Sequence, residues 1–182
     1  MIIKIHFREK IVQPKIIESK PITLVGMSFY GDPFDTHAGW DEDNQIGLLW
    51  KRLFAFLQKD AVFSSLSQSS AWYEVHIHSE ETQAKGLFEV FVGVIIELER
   101  VTDLPSQLLV KNLPASQYAI FTFKGEEINS DWEKILEAWM SESDYQSAGT
   151  YNFQYYDDRF KGLDRINESV LDVYIPIKKK SD

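Results

Sequence analysis

The residues best suited to chemistry are few and widely spaced. His76-Ile77-His78 puts two imidazoles on one face of an extended chain, and Glu74 and Glu80 prolong that face. Such a pair is half of a metal site. No third ligand of suitable spacing stands elsewhere, and alternating polar side chains are what a solvated strand face requires, so no metal is expected. Glu97 shares a strand face with Phe91, Gly93 and Ile95. Drawn into a pocket, this carboxylate would need a partner such as a cationic ligand; left beside Glu99 in water it is an ordinary strand-end acid. There is no glycine-rich phosphate loop, nucleophile elbow or His-Glu-x-x-His helix. The absence of cysteine excludes thiolate catalysis, disulfides and cysteine zinc sites. No cofactor is implied.

Aromatic residues make up 14% of the 182-residue chain, and many fall inside predicted strands. They fill cores, and they also line pockets for flat or cationic organic molecules. Trp50 and Trp139 lie on helical apolar stripes, where core packing is the plain reading and a pocket wall the sharper one. The first stripe is Ile46, Leu49, Trp50, Leu53, Phe54 and Leu57, with Asp43 as candidate N-cap. The second is Trp132, Ile135, Leu136, Trp139 and Met140, with Asn129 or Ser130 as cap. Around them stand strand-like runs: residues 15 to 31, 72 to 79 and 86 to 99, then 108 to 110, 117 to 123, 151 to 156 and 170 to 178. In the run 86 to 99, Phe88, Val90, Val92, Val94, Ile96 and Leu98 form an apolar face. The opposite face is mixed, which suits a sheet backed by helices on one side.

The order of these elements repeats. Leu49-Trp50-Lys51-Arg52-Leu53-Phe54 is echoed by Asp131-Trp132-Glu133-Lys134-Ile135-Leu136, and Phe91 to Ile96 by Asp172 to Ile177, at a shift of 81 or 82. The shift carries core-facing Val92 and Val94 onto Val173 and Ile175, so inside-outside parity survives it. Each half reads β-α-β-β, over residues 15–100 and 107–178 of a single domain. A seam lined from both sides is a natural place for a pocket.

Composition narrows the partners. With 44% hydrophobic and 26% charged residues, the chain has ordinary globular content. Its net charge of -9 lacks the basic footprint of a nucleic-acid binder. The Lys178-Lys179-Lys180 run is too short to reverse that balance and reads as a solvated terminus. No stretch reaches the roughly 20 apolar residues that cross a bilayer, and the N-terminus lacks a secretory signal. A cytoplasmic, soluble protein is expected.

The chain resembles the GyrI-like small-molecule-binding domain, which is also the effector-binding domain of AraC- and MerR-type bacterial regulators. The matching segments are Pro21 to Ser28, Leu49 to Leu53, Phe91 to Val94, Leu113 to Gly125, Phe153 to Phe160 and Val173 to Ile177. The resemblance implies an α+β fold: a pseudo-two-fold pair of β-α-β-β units giving an eight-stranded antiparallel sheet with two long helices, as in SOUL/GyrI-like domains. It also implies a groove between the halves for bulky, aromatic and often cationic ligands. Phe91, Tyr156 and Tyr174 are expected on the pocket face, beside Gly93, Ile95 and Glu97. The family's glutamate after the Gly-Val pair is Ile95 here, with Glu97 as the nearest substitute, and a second family carboxylate is Gln154.

The expected function is therefore a stand-alone binder of a small hydrophobic or cationic organic molecule, without direct nucleic-acid or membrane contact. No helix-turn-helix has room before residue 15 or after 178. One alternative is a small-molecule hydrolase in the same groove, with Glu97 as base and Tyr174 as acid. Another is a gyrase-inhibitor-like module with a protein partner. Ligand identity and oligomeric state are open from sequence.

Overall fold

A strand such as Phe88–Ile95, with Val90, Phe91, Val92, Gly93 and Val94 all buried, needs cover on both faces and both edges. In this computed structural model, which describes residues 12–35, 42–59, 71–96 and 104–181, it has all four. The elements are β1 (Lys15–Ser19), β2 (Ile22–Gly31), α1 (Gln45–Lys59), β3 (Trp72–Ile77), α2 (Glu80–Lys85), β4 (Phe88–Ile95), β5 (Leu109–Leu113), β6 (Ser116–Lys124), α3 (Trp132–Glu142), β7 (Tyr145–Ser147), β8 (Tyr151–Tyr156) and β9 (Val170–Lys179). They form one antiparallel sheet of order β1-β6-β9-β8-β3-β4-β2-β5, with β7 paired to β9. The sheet thus has nine strands, the ninth being the three-residue β7, which carries too little pattern to be read from sequence.

The strand order is symmetric about the β8–β3 pair. Each half contributes β-α-β-β, as β2-α1-β3-β4 and β6-α3-β8-β9, and each sends a leading strand to the other: β1 pairs β6, and β5 pairs β2. The expected single strand over 15–31 divides at Lys20-Pro21, where proline removes a ladder donor.

Chain length then dictates shape. Only Pro114 and Ala115 separate β5 from β6, although these strands lie toward opposite ends of the sheet. Leu113 and Ser116 can be no more than about 11 Å apart at full extension. Lys20 and Pro21 impose the same limit between β1 and β2. The sheet must curl until its ends meet, which gives it an interior and an exterior.

Side-chain alternation sorts residues between the two. Inward-facing Leu24, Tyr73, Val75, Phe91, Leu113, Tyr118 and Phe153 form one cluster, with Tyr151, Tyr155 and Tyr174 packed against it. It is filled by rings: Phe153 stacks on Tyr174 at 4.5 Å, and the Tyr118 and Tyr151 hydroxyls lie 2.8 Å apart. Outside, Leu49 and Leu53 of α1 pack with Val90, Val92 and Val94. Leu136 and Trp139 of α3 pack with Phe121, Val173 and Ile175.

The helix caps shift slightly from expectation. Asn44, not Asp43, holds the start of α1, its Oδ1 accepting from Gly47 N at 2.9 Å. Asp131, not Asn129 or Ser130, accepts from Lys134 N at the start of α3. Among the described residues, no helix is long and apolar enough to cross a membrane.

Gly26 and Gly93 face each other across β2 and β4. A Cβ at Gly93 would stand 2.4 Å from the Val25 carbonyl oxygen, and one at Gly26 only 1.9 Å from that of Val92. Gly93→Ala is therefore expected to destabilise by about 2 kcal/mol through a forced backbone shift. Thermal unfolding should show this as a Tm lower by about 5 °C.

The interior tyrosines make a second expectation. Burial pushes the phenols of Tyr73, Tyr118, Tyr151 and Tyr155 above their ordinary value, and that of Tyr174 up to about 12. The unfolded chain releases these protons near pH 10 while the folded one retains them, so stability falls as pH rises from about 10 towards 12. Phenolate absorbance and loss of circular dichroism should appear together in that window, rather than ionisation preceding unfolding.

Candidate functional site

The two exterior helices sit over opposite flanks of the sheet, α1 over β2 and β4 and α3 over β6 and β9. The central pair, β3 and β8, is left between them. Its outward side chains are Trp72, Glu74 and His76 on β3, with Gln154 and Tyr156 on β8; Trp72 is registered with Tyr156 and Glu74 with Gln154. A cavity of about 510 Å³ opens here, closed at its sides by α1 and by the chain following β8. That volume suits a drug-sized molecule.

Four rings build its wall. The Trp50 ring lies 5.6 Å from Phe54, 6.2 Å from Trp72 and 5.8 Å from Tyr156, and Phe54 meets Trp72 edge-on at 5.1 Å. Trp50 and Phe54 are one helical turn apart on α1, so the helix presents both to the strands. Gly47 brings the preceding chain close, since a Cβ there would stand 2.5 Å from the Glu42 carbonyl oxygen.

The floor is a carboxylate. Glu74 is 1% exposed. Its Oε2 accepts from Trp50 Nε1 at 2.6 Å; its Oε1 accepts from Gln154 Nε2 at 3.1 Å and lies 2.8 Å from His76 Nε2. Tyr156 donates its hydroxyl to Gln154 Oε1 at 2.6 Å, which turns the amide NH2 towards Glu74. Each bond to a charged group is worth about 1.5–3 kcal/mol, and a buried carboxylate without them would cost more than the fold can spare. Burial, and then the negative charge of Glu74, push the Tyr156 phenol well above its ordinary value. It stays a neutral donor.

The rim is acidic. Glu42, Asp157 and Asp158 line the mouth, with Lys51 as the lining cation. Lys51 lies 3.4 Å from Glu42 and 3.5 Å from Asp43. Asp157 takes both oxygens to Arg159 Nε at 2.9 Å, and Arg159 also reaches Asp172 at 2.6 Å. The arrangement offers an aromatic slot with a carboxylate at its floor and an acidic mouth.

The sequence-derived candidates divide between the two sides of the sheet. Trp50 and Tyr156 line the cavity. Phe91 and Tyr174 were expected to share a face with Tyr156, but residue parity puts them inside the curl, where packed rings fill the space. Gly93 belongs to the close approach of β2 and β4, Ile95 is 41% exposed on β4, and Trp139 is buried beneath α3. Glu97 lies outside the described residues. The solvated face expected for Glu74 and His76 is instead buried, at 1% and 5% exposure: Trp50 reaches over from α1 to Glu74, and Phe88 packs against the His76 ring. Sequence reasoning therefore missed the central carboxylate. The available signal was that β3 carries Tyr73, Val75 and Ile77 on one face and Trp72 on the other, a strand needing cover on both.

Residues 15–177 match Cass2, the integron-associated effector binding protein, and the chain belongs to that family. It is 28% identical over 176 residues to the transcriptional regulator BrlR of Pseudomonas aeruginosa, covering 94% of this chain and 58% of BrlR. The fold is shared with the C-terminal domain of EcmrR, at TM-score 0.60 and 13% identity, covering 92% of this chain and 98% of that one. It is shared too with SAV2435 bound to tetraphenylphosphonium, at TM-score 0.58 and 13% identity over 91% and 94%.

Replacing the amide beneath the cavity gives a test of the floor. In Gln154→Glu, two carboxylates would occupy positions now 3.1 Å apart, and both cannot ionise. One folded-state pKa then rises above the unfolded value near 4.3, so stability is kept in acid and lost as pH rises. The Tm of the variant relative to wild type should fall steadily from about pH 5 to about pH 8.

Proposed function

We propose that this chain is a single effector-binding domain, residues 1–182, that takes up an organic cation of aromatic bulk. The observation that carries the reading is Glu74, buried at the end of a ring-walled cavity of about 510 Å³. A cation over the π-face of Trp50, Trp72 or Tyr156 gains about 0.5–1 kcal/mol per ring, rising to about 2 kcal/mol where the contact is desolvated. Glu74, held by Trp50, Gln154 and His76, places a carboxylate at the floor that favours a cation over a neutral ligand. The acidic mouth, and a net charge of -9, draw cations from solution. The bound cation of SAV2435, a protein of the same fold, supports this class of ligand. Kinship with BrlR supports a regulatory use, in which occupancy is read by a protein partner.

Tetraphenylphosphonium is the first probe. At a hundredfold excess over Kd it should stabilise the native state by about 2.7 kcal/mol, raising Tm by about 5–10 °C. Triphenylphosphine oxide, similar in rings but uncharged, should give little. Glu74→Gln should weaken the cation about tenfold or more in calorimetric titration, since it removes the charge and keeps the shape. Equal binding of the charged and uncharged probes, or no effect of Glu74→Gln, would refute the reading.

A further inference from the structure

The symmetry that builds the cavity should build it twice. Trp50 on α1 and Trp132 on α3 are repeat equivalents, and Glu74 faces Gln154 across the seam. A second concavity does lie on the α3 side, between Trp132, Ile128, Leu171 and Gln154, but it holds only about 20 Å³. Tyr156, Phe160 and Leu163 line both hollows. These three side chains are the partition between a large compartment and a nearly filled one.

The partition is built as a fixed wall. Phe160 meets Tyr156 edge-on with ring centroids 4.8 Å apart. Its amide donates to the Asp157 carbonyl at 3.1 Å, and Lys161 N donates to Ser169 Oγ at 2.9 Å. Ser169, 1% exposed, also donates from Oγ towards the carbonyls of Gly162 and Arg165. Arg159 ties the same turn to β9 through Asp172. Gly162 makes the bend with φ 103°, a conformation that side-chain-bearing residues rarely adopt. A turn held at so many points does not swing aside to admit a larger guest.

We infer that Phe160 is the specificity-determining residue for ligand size: its ring divides one latent symmetric groove and confines the ligand to the Glu74 side. This rests on the cation-binding reading above and adds a limit to it. Flat cations fit the α1 compartment, whereas a cation with bulk on every side reaches the divider. Removing the ring joins the hollows and lets such a ligand extend towards Trp132.

The test compares acriflavine, a flat cation, with tetraphenylphosphonium by calorimetric titration. In Phe160→Ala the affinity ratio should move about tenfold towards tetraphenylphosphonium relative to wild type. Adding Asn129→Trp, which puts a ring at the exposed rim of the second hollow, should reverse that move without changing wild-type binding. If Phe160→Ala does not fold, Phe160→Leu should shift the ratio in the same direction by a smaller factor. An unchanged ratio, or one that Asn129→Trp fails to reverse, overturns the divider while Glu74-dependent binding stands. Wild-type protein that binds neither cation overturns the cation reading and the divider with it.

Discussion

Two connections of two residues each govern this molecule. Lys20-Pro21 and Pro114-Ala115 each join strands that lie towards opposite ends of the sheet, so the sheet cannot lie flat. Once it curls, each strand has a concave side that only side chains can fill and a convex side that only helices can cover. The concave side is consumed by Phe91, Tyr118, Phe153 and their tyrosine neighbours. Among the described residues, α1 and α3 cannot by themselves blanket the convex side of nine strands. Each takes the flank nearest its own strands, and the uncovered remainder is the β3–β8 seam. The groove follows from curvature and helix count before any residue in it is chosen.

What stands in the groove is decided by breaking the symmetry that made it. Glu74 and Gln154 are registered with each other across the seam. Two glutamates there would repel, and two glutamines would offer no charge. The observed pair, one acid and one amide 3.1 Å apart, gives a buried charge its donor and leaves that charge singular. Tyr156 then fixes the amide's direction from the β8 side, while Trp50 donates from α1. The carboxylate is thus held from α1 and β8 at once, with His76 of its own strand beside it, which fixes its position relative to the rings.

The sequence makes much of this scaffold legible because the scaffold is local. Helical stripes at Ile46 to Leu57 and Trp132 to Met140, and alternation over Phe88 to Val94, depend on near neighbours, and the structure has α1, α3 and β4 there. The shift of 81 is visible for the same reason. The site is legible only in part. Trp50 and Tyr156 stand out as large rings on patterned elements. Glu74 does not, because Glu-x-His-x-His in a strand has the pattern of a wetted face. Its burial is written in residues far along the chain: Trp50 is 24 positions away and Gln154 is 80. Assigning Phe91, Tyr156 and Tyr174 to one face failed because residues on different strands share a face only through the register, and here Phe153 and Tyr155 face inward, which turns Tyr156 outward.

The division of labour between seam and walls bears on how such a fold can serve different ligands. The floor is set by side chains projecting from paired strands, where a one-residue slip would move every one of them to the other face. That part is rigid and hard to alter without cost to the sheet. The walls come from α1, which can change a ring one turn at a time, and from the turn after β8, whose hydrogen bonds run through backbone, Ser169 and Arg159 rather than through Phe160 itself. Charge selection and shape selection therefore meet at Trp50 and part at Phe54 and Phe160, which line the slot without bonding the carboxylate. Substitutions at positions 54, 72 or 160 can reshape the slot while Glu74 keeps its three partners, whereas a change at 154 also touches the group that accepts from the Tyr156 hydroxyl.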